Sequence, residues 1–322
     1  VAENFDVVII GGGPAGYAAA LYGASAGLNI ALVEKHRVGG TCLHVGCIPA
    51  KELLETASVR RAIEGAAEFG LTTSEPVLDF SKTQVRKQSI IDGLTKGLEG
   101  LLKRRKVTVY DGIGSLSAGH KVRVTGGSSG DVELTGTNVI LASGSVPRTI
   151  PGFEVDGKLV VTSDELLSLQ KLPASAVVIG GGAIGCEFAS MMSDLGTSVT
   201  ILEALPNILP GCDSDVTRVV LKSFADRGID VHTGVSVNGH TPNASGTTVK
   251  FGDNQTIDVE MVVVSVGRRP LTENLDLSGT AVKISERGHV EVDQWCRTAE
   301  PGVWAAGDLI ATPALAHIGF AE

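Results

Sequence analysis

Asp-Val-Val-Ile-Ile-Gly-Gly-Gly-Pro-Ala-Gly occupies residues 6–16, and Ala-Val-Val-Ile-Gly-Gly-Gly-Ala-Ile-Gly returns at 176–185. Each opens with a short β-branched apolar run, the pattern of a parallel strand buried on both faces, and runs into three glycines. An Ala-rich helix to about Ala26 is predicted after the first copy, and a helix over 186–195 after the second. Strands over 29–34 and 198–203 follow. They end in Glu34 and Glu203, each 23 residues after the first glycine of its own run. The same supersecondary unit therefore occurs twice.

A strand, a Gly-x-Gly-x-x-Gly turn, a helix and an acid closing the next strand form a dinucleotide-binding unit. Gly11 and Gly180 permit the tight turn. Gly13 and Gly182 let the backbone approach a pyrophosphate, and Gly16 and Gly185 let helix pack on strand. The helix start then offers free N–H groups and a positive dipole end to phosphate. Glu34 and Glu203 can accept hydrogen bonds from ribose hydroxyls. A carboxylate at Glu203 repels a 2′-phosphate, and no Arg lies in 204–212, so the second unit favours NAD over NADP.

A second helix is expected in each half. Within 81–105, Ile91, Leu94, Leu98 and then Leu101 or Leu102 fall at steps of three and four, with Val85 six before Ile91, an amphipathic helix. In the second half a helix over 213–227 ends at Gly228. Lys103 to Lys106 is a charge run read as a solvated helix end. Turn-rich segments at 126–130 and 242–246 suggest a three-stranded meander in each half. Residues 139–147 and 262–270 look like strands ending in glycine where the chain crosses between domains. The fold class is α/β: two Rossmann-like dinucleotide-binding domains, each a parallel sheet plus a three-stranded β-meander. The first is expected at 1–147 with 271–322, the second at 148–270.

Composition narrows the function. The net charge of −9 argues against a nucleic-acid binder or a polybasic membrane-surface protein. Aromatics at 4% argue against a base-stacking platform. No apolar run reaches the ~18–20 residues of a transmembrane helix, and the first residues lack the pattern of a secretory leader. Five cysteines, an odd and sparse set, do not form a secreted disulfide framework. A reducing compartment is expected, the cytoplasm or, in a eukaryote, the mitochondrial matrix.

The chemistry-bearing stretch is Gly-Gly-Thr-Cys-Leu-His-Val-Gly-Cys-Ile-Pro-Ala-Lys at 39–51. Positions i and i+5 of a regular helix lie about 8.6 Å apart at Cα, beyond the ~7 Å reach of a disulfide. If Cys42 and Cys47 are bonded, the segment is not regular helix between them, and Gly46 is the place to deform. Lys51 lies four beyond Cys47, on the same helical face. Two unrelated thiols, or a metal set of His36, Cys42, His44 and Cys47, are the other readings. The spacing is not that of a paired zinc motif.

The stretch 39–51, with Gly-Gly-Gly-Ala-Ile-Gly-Cys-Glu (180–187), Val-Gly-Arg-Arg-Pro (266–270), Trp-Ala-Ala-Gly-Asp (304–308) and Leu-Ala-His (315–317), resembles the pyridine-nucleotide disulfide oxidoreductases. The resemblance is strongest to the branch that oxidises dihydrolipoamide. It implies FAD in the first unit and NAD in the second. It implies that Cys42 is the outer thiol meeting substrate, Cys47 the inner thiol facing the flavin, and Lys51 with Glu187 an ion pair beside the flavin. Asp308 resembles the ribitol ligand, and Ala316 and His317 a helix start facing the flavin ring. Further FAD contacts are implied for Pro14, Ala15, Lys35, Gly40, Thr41, Ser143, Gly144 and Gly307, and NAD contacts for Ala183, Ile184 and Gly267. His44 and Ser143 depart from the family's usual Asn and Thr.

The implied partner is the lipoyl domain of a 2-oxo acid dehydrogenase or glycine cleavage complex, with the longer parent a homodimer. The family's general base, a His paired with a Glu in a C-terminal interface domain, is not found in these 322 residues. They are therefore expected to bind cofactors with little lipoamide turnover. His317 and Glu322 share the pair's offset without its intervening residues, a coincidence. The alternatives are a glutathione- or mercuric-reductase-like enzyme and a pyridine nucleotide transhydrogenase. Glu203 disfavours the NADP-linked siblings. Cys186, Cys212 and Cys296 receive no role.

Overall fold

The computed structural model describes residues 3–128 and 130–322. Val1, Ala2 and Ser129, the last within the expected 126–130 turn, lie outside them. In chain order the regular elements begin β1 (Glu3–Ile10), α1 (Pro14–Ser25), β2 (Ile30–Glu34), α2 (Gly40–His44), α3 (Cys47–Glu64) and α4 (Phe80–Arg104). Then come β3 (Thr108–Asp111), β4 (Ile113–Ser117), β5 (Lys121–Thr125), β6 (Val132–Leu141), β7 (Ser145–Pro147), β8 (Val160–Val161) and α5 (Ser163–Leu166). The second repeat starts with β9 (Ser175–Ile179), α6 (Ala183–Asp194), β10 (Ser198–Glu203), α7 (Ser214–Asp226) and β11 (Asp230–Thr233). The chain closes with β12 (Val237–Asn243), β13 (Gly246–Phe251), β14 (Gln255–Val259), β15 (Met261–Val264), β16 (Arg268–Pro270), β17 (Val303–Ala305) and α8 (Ala316–Ala321).

These elements fall into two compact units, 1–44 with 90–146 and 269–322, and 45–89 with 147–268. In the first, β3-β2-β1-β6-β5-β4 form one sheet, with β17 alongside β6. β1 lies parallel to both β2 and β6. Alternation along the strands splits the core. Val7, Ile9, Ile30 and Leu32 face the small residues Ala15 and Ala20 of α1. Val8, Ile10, Ala31 and Val33 face Leu116, Val122 and Val124 of the meander.

The second unit repeats this layering around a sheet ordered β11-β10-β9-β15-β8. Val178, Val199, Ile201 and Val263 pack on Ala189, Met191 and Met192 of α6. Val177, Ile179, Leu202 and Val264 pack on Val249, Phe251 and Val259 of the meander β12-β13-β14. The two meanders differ in their attachment. In the first unit the ten-residue β6 serves both as third meander strand and as partner of β1. In the second the equivalent path is interrupted at Glu260, whose carboxylate accepts from the backbone N–H of Ala174 at 2.7 Å, so β14 and β15 belong to separate sheets.

Residues 45–89 differ from the expected division, which kept them with the first half. Ala50, Leu53, Ala57 and Phe80 join the core of the second unit. The buried side of α4 keeps Ile91, Leu98, Leu101 and Leu102 of the expected stripe but not its other two members. Val85 is 70% exposed, and Leu94 is exposed as well, whereas Gln84, Lys87, Ile91, Thr95 and Leu102 are buried. Gln84 Nε2 donates to the Leu169 carbonyl at 2.9 Å and Lys87 Nζ to that of Leu167 at 2.6 Å. These bonds satisfy polar groups that would otherwise be costly to bury. Among the described residues no helix is long and apolar enough to cross a membrane.

One polar triad ties α3, α6 and α7 together. Asp194, whose side chain is 7% exposed, accepts from Arg61 Nη1 at 2.9 Å and from Arg227 Nη1 at 3.0 Å. Arg227 also donates to Ser190 Oγ at 2.8 Å and lies over the Phe224 ring. Removing one member of a buried ion pair leaves the rest desolvated and unpaired. Asp194→Ala is expected to cost about 3 kcal/mol, read from the urea midpoint. A cost below about 1 kcal/mol would make the triad a surface pair.

Candidate active site

Both glycine turns adopt one geometry. Gly11 has φ +110° and Gly180 φ +106°, a region L side chains rarely enter. A Cβ at Gly11 would lie 2.1 Å from the Ala142 carbonyl oxygen, and one at Gly180 2.5 Å from that of Ser265. A Cβ at Gly16 would lie 1.8 Å from the oxygen of Gly11, and one at Gly185 1.9 Å from that of Gly180. The middle glycines are different: Gly182 has open space around its missing Cβ, and Gly13 meets only Gly40 Cα at 3.9 Å. They cap α1 and α6 with no side-chain hydrogen bond, and Pro14 is the first residue of α1. The first helical N–H groups thus remain available to an anion. Pro14 and Ala15, like Ala183 and Ile184, form these helix starts.

The two acids are held alike. Glu34 Oε2 accepts from the N–H of Gly12 at 2.7 Å and Oε1 from that of His36 at 2.9 Å. Glu203 accepts from Gly181 at 2.6 Å and from Leu205 at 2.7 Å. Each carboxylate is locked in orientation while each oxygen keeps acceptor capacity for a ribose hydroxyl. Beside Glu34 a narrow slot of about 60 Å³ is lined by Ile10, Gly11, Lys35, Ser143 and Leu275, among others. Apolar walls next to a carboxylate suit a flat adenine on its ribose. Gly40, at φ +59°, closes over the turn, where a Cβ would meet Gly13 Cα at 2.5 Å.

Further along the first unit, Ser143 Oγ donates to the Leu271 carbonyl at 2.7 Å, and Gly144, at φ +73°, accepts from the Leu271 N–H at 2.9 Å. Ser143 thus spends its hydroxyl on the chain crossing. Ser145 Oγ donates to Asp308 Oδ2 at 2.5 Å and orients that carboxylate, a role the sequence did not signal. Ala316 and His317 open the short α8. Glu322 accepts from the Gly307 N–H at 2.6 Å.

Cys42 and Thr41 lie in α2, and Cys47 is the first residue of α3. The two helices are separated at 45–46, where Gly46 has φ −146° and ψ −116°, so the segment is broken where a bonded pair requires it. Lys51 Nζ contacts both oxygens of Glu187, at 2.7 and 2.9 Å, and joins α3 to α6. His44 Nε2 lies 2.9 Å from the Val38 carbonyl. A carbonyl only accepts, so Nε2 donates in this contact. In the second unit Gly267, at φ +105°, accepts from the Arg148 N–H at 2.9 Å beyond the end of β15.

The two matching cradles define a dinucleotide-binding protein. The family model of pyridine nucleotide-disulphide oxidoreductase matches residues 5–322, and the chain belongs to that family. It is similar to a dihydrolipoyl dehydrogenase of Bacillus subtilis, 40% identical over all of this chain and 70% of the relative. It is also similar to one of Geobacillus stearothermophilus, 38% identical over 97% of this chain and 67% of the relative. Among solved structures, LpdA of Mycobacterium tuberculosis superposes with a TM-score of 0.92 at 26% identity, covering 99% of this chain and 70% of that one. The HOCl-induced flavoprotein disulfide reductase RclA of Escherichia coli does so at 0.88 and 29%, over 99% of this chain and 69% of that one. FAD and NAD are the cofactors of this class, and both cradles fit a dinucleotide.

Two outcomes test the site. Gly182→Ala has room for its Cβ, so thermal stability should hold while NAD affinity falls at least about tenfold as the methyl blocks pyrophosphate approach. Unchanged affinity would remove the pyrophosphate from this turn. Burial pushes the Cys186 thiol up to about 12, with Glu203 adding to the shift. Its Sγ donates to the Gly181 carbonyl at 3.3 Å. The folded protein keeps this proton longer than the unfolded chain, so the thiol's contribution to stability falls as pH rises from about 9 to about 12. Iodoacetamide at pH 8 should label exposed Cys212 and spare Cys186 until urea is added. Equal labelling in the native protein would contradict that burial.

Proposed function

We propose that the chain carries the dithiol and cofactor machinery of an NAD-dependent dihydrolipoyl dehydrogenase. The observation that carries this reading is the stretch 39–51, with Cys42 and Cys47 on either side of a helix break and Lys51 one turn beyond. Identity to dihydrolipoyl dehydrogenases across the whole chain supports it. The partner would be a lipoyl group on a 2-oxo acid dehydrogenase or glycine cleavage complex.

In this reading Cys42 and Cys47 start as a disulfide. A dihydrolipoyl thiolate attacks Cys42 Sγ, a mixed disulfide forms, and Cys47 leaves as the thiolate. The second lipoyl thiol, once deprotonated, attacks the mixed disulfide, closes the lipoyl ring and frees Cys42. Cys47 opens α3, so the positive end of the helix dipole and the Lys51 ammonium favour negative charge on its sulfur. Glu187 holds that ammonium in place. Bound FAD and NAD supply the electron-accepting chemistry that reoxidises the dithiol.

Glu203 supports NAD as acceptor, since a second negative charge at the ribose would face its carboxylate. Cys42→Ser should reduce lipoamide turnover more than about 10³-fold and leave FAD content unchanged. Full turnover in that variant would exclude the dithiol route. Binding of 5′-AMP should exceed that of 2′,5′-ADP, and the reverse order would point to an NADP-linked sibling.

A further inference from the structure

The basic run 103–106 is not merely a solvated helix end. Lys103 and Lys106 line a cavity of about 520 Å³ in the first unit, together with His36 and Arg37 from the loop after β2. Its floor is apolar, with Val38, Leu102 and Val107 buried. This size and make-up are those of a small-molecule site. We propose that it binds a phosphomonoester carried on a flat apolar body, at a site distinct from both dinucleotide cradles.

Ion pairing favours an anion at the α4 end of the cavity. The lining acids are Glu34, Glu99 and Asp111. Glu34 already accepts two backbone N–H groups, and Asp111 Oδ2 accepts that of Ser128 at 3.2 Å. Arg37 is paired with Asp92 at 3.1 Å. Lys103 and Lys106 are left with Glu99 alone, and neither ammonium has an ion-pair partner within 4 Å among the described residues. The lining as a whole is formally neutral, Arg37, Lys103 and Lys106 against Glu34, Glu99 and Asp111, but its two ammonium groups without an ion pair gather at the α4 end, where they can meet a phosphate.

The backbone adds an independent sign. Lys106 has φ +60° where the chain turns out of α4, with its N–H on the Lys103 carbonyl and that of Val107 on the Leu102 carbonyl. Glycine is the favoured residue in that conformation. A lysine kept there at a conformational cost points to a use for its side chain.

The cavity shares a wall with the first cradle. Glu34 lines both the cavity and the adenine slot, and its Oε1 holds the His36 N–H. The Gly39 N–H donates to the Gly12 carbonyl at 2.7 Å, tying the loop 36–39 to the glycine turn. An occupant that steadies this loop should slow FAD release, and FAD should strengthen its binding by the same factor.

The probe is 1-naphthyl phosphate, titrated calorimetrically into FAD-loaded protein saturated with NAD. One saturable site is expected, with 1-naphthol and inorganic phosphate each at least about tenfold weaker. Lys103→Glu/Lys106→Glu should weaken it at least about tenfold with FAD content unchanged. Lys106→Gly should raise the melting temperature and still weaken binding, which separates a ligand role from a fold role. Absence of a saturable site, or affinity unchanged in both variants, overturns the proposal. None of these readouts depends on lipoamide turnover.

Discussion

Everything in this fold depends on carbonyl oxygens standing where side chains would be. At Gly16 and Gly185 the oxygen of the first glycine in the same turn lies within 2 Å of a hypothetical Cβ. That spacing lets α1 and α6 start directly against their strands, so the first free N–H groups sit at the strand ends. A larger residue would push each helix off its sheet and move its dipole from the site. The constraint is steric and local, and it operates twice with nearly the same dihedral angles.

The acids extend the same logic. Glu34 and Glu203 do not simply project from strand ends. Each bonds the N–H of the second glycine and an N–H two residues beyond itself. Each carboxylate therefore braces its own glycine turn, and a change in either disturbs the other. The lack of a side chain on that second glycine makes this bond accessible. A Cβ on Gly12 would lie 3.0 Å from Glu34 Oε2, and one on Gly181 2.7 Å from Ile208 Cγ2.

Local constraints were legible in the sequence, and tertiary ones were not. The strand–turn–helix–strand repeats emerge within a few residues of their expected bounds because glycine positions and β-branched runs dictate them. α6 begins three residues before its expected start because its cap is Gly182. The helix break at 45–46 was legible only on the condition that Cys42 and Cys47 are bonded, with Gly46 as the place to deform. The packing of 45–89 was hidden by α4, whose buried stripe opens with Gln84 and Lys87 while Val85 faces water. No hydropathy pattern marks a lysine that is buried because its ammonium finds a carbonyl. The hydroxyl of Ser145 on Asp308 was equally silent, being a contact between residues 163 apart in sequence.

Two ion pairs on α3 show why exposure must be weighed before an ion pair is given a purpose. Arg61, itself 52% exposed, meets the 7% exposed Asp194, which also pairs with the 18% exposed Arg227, so losing the carboxylate leaves Arg227 unpaired in a largely desolvated setting. Lys51 meets Glu187 with side chains 59% and 37% exposed, a setting in which ion pairs typically stabilise by about 0–1 kcal/mol. Its bidentate geometry is thus poorly explained by folding. The helix thus makes one pair to a buried carboxylate and one to a partly exposed carboxylate, and only loss of the first is expected to cost the fold heavily.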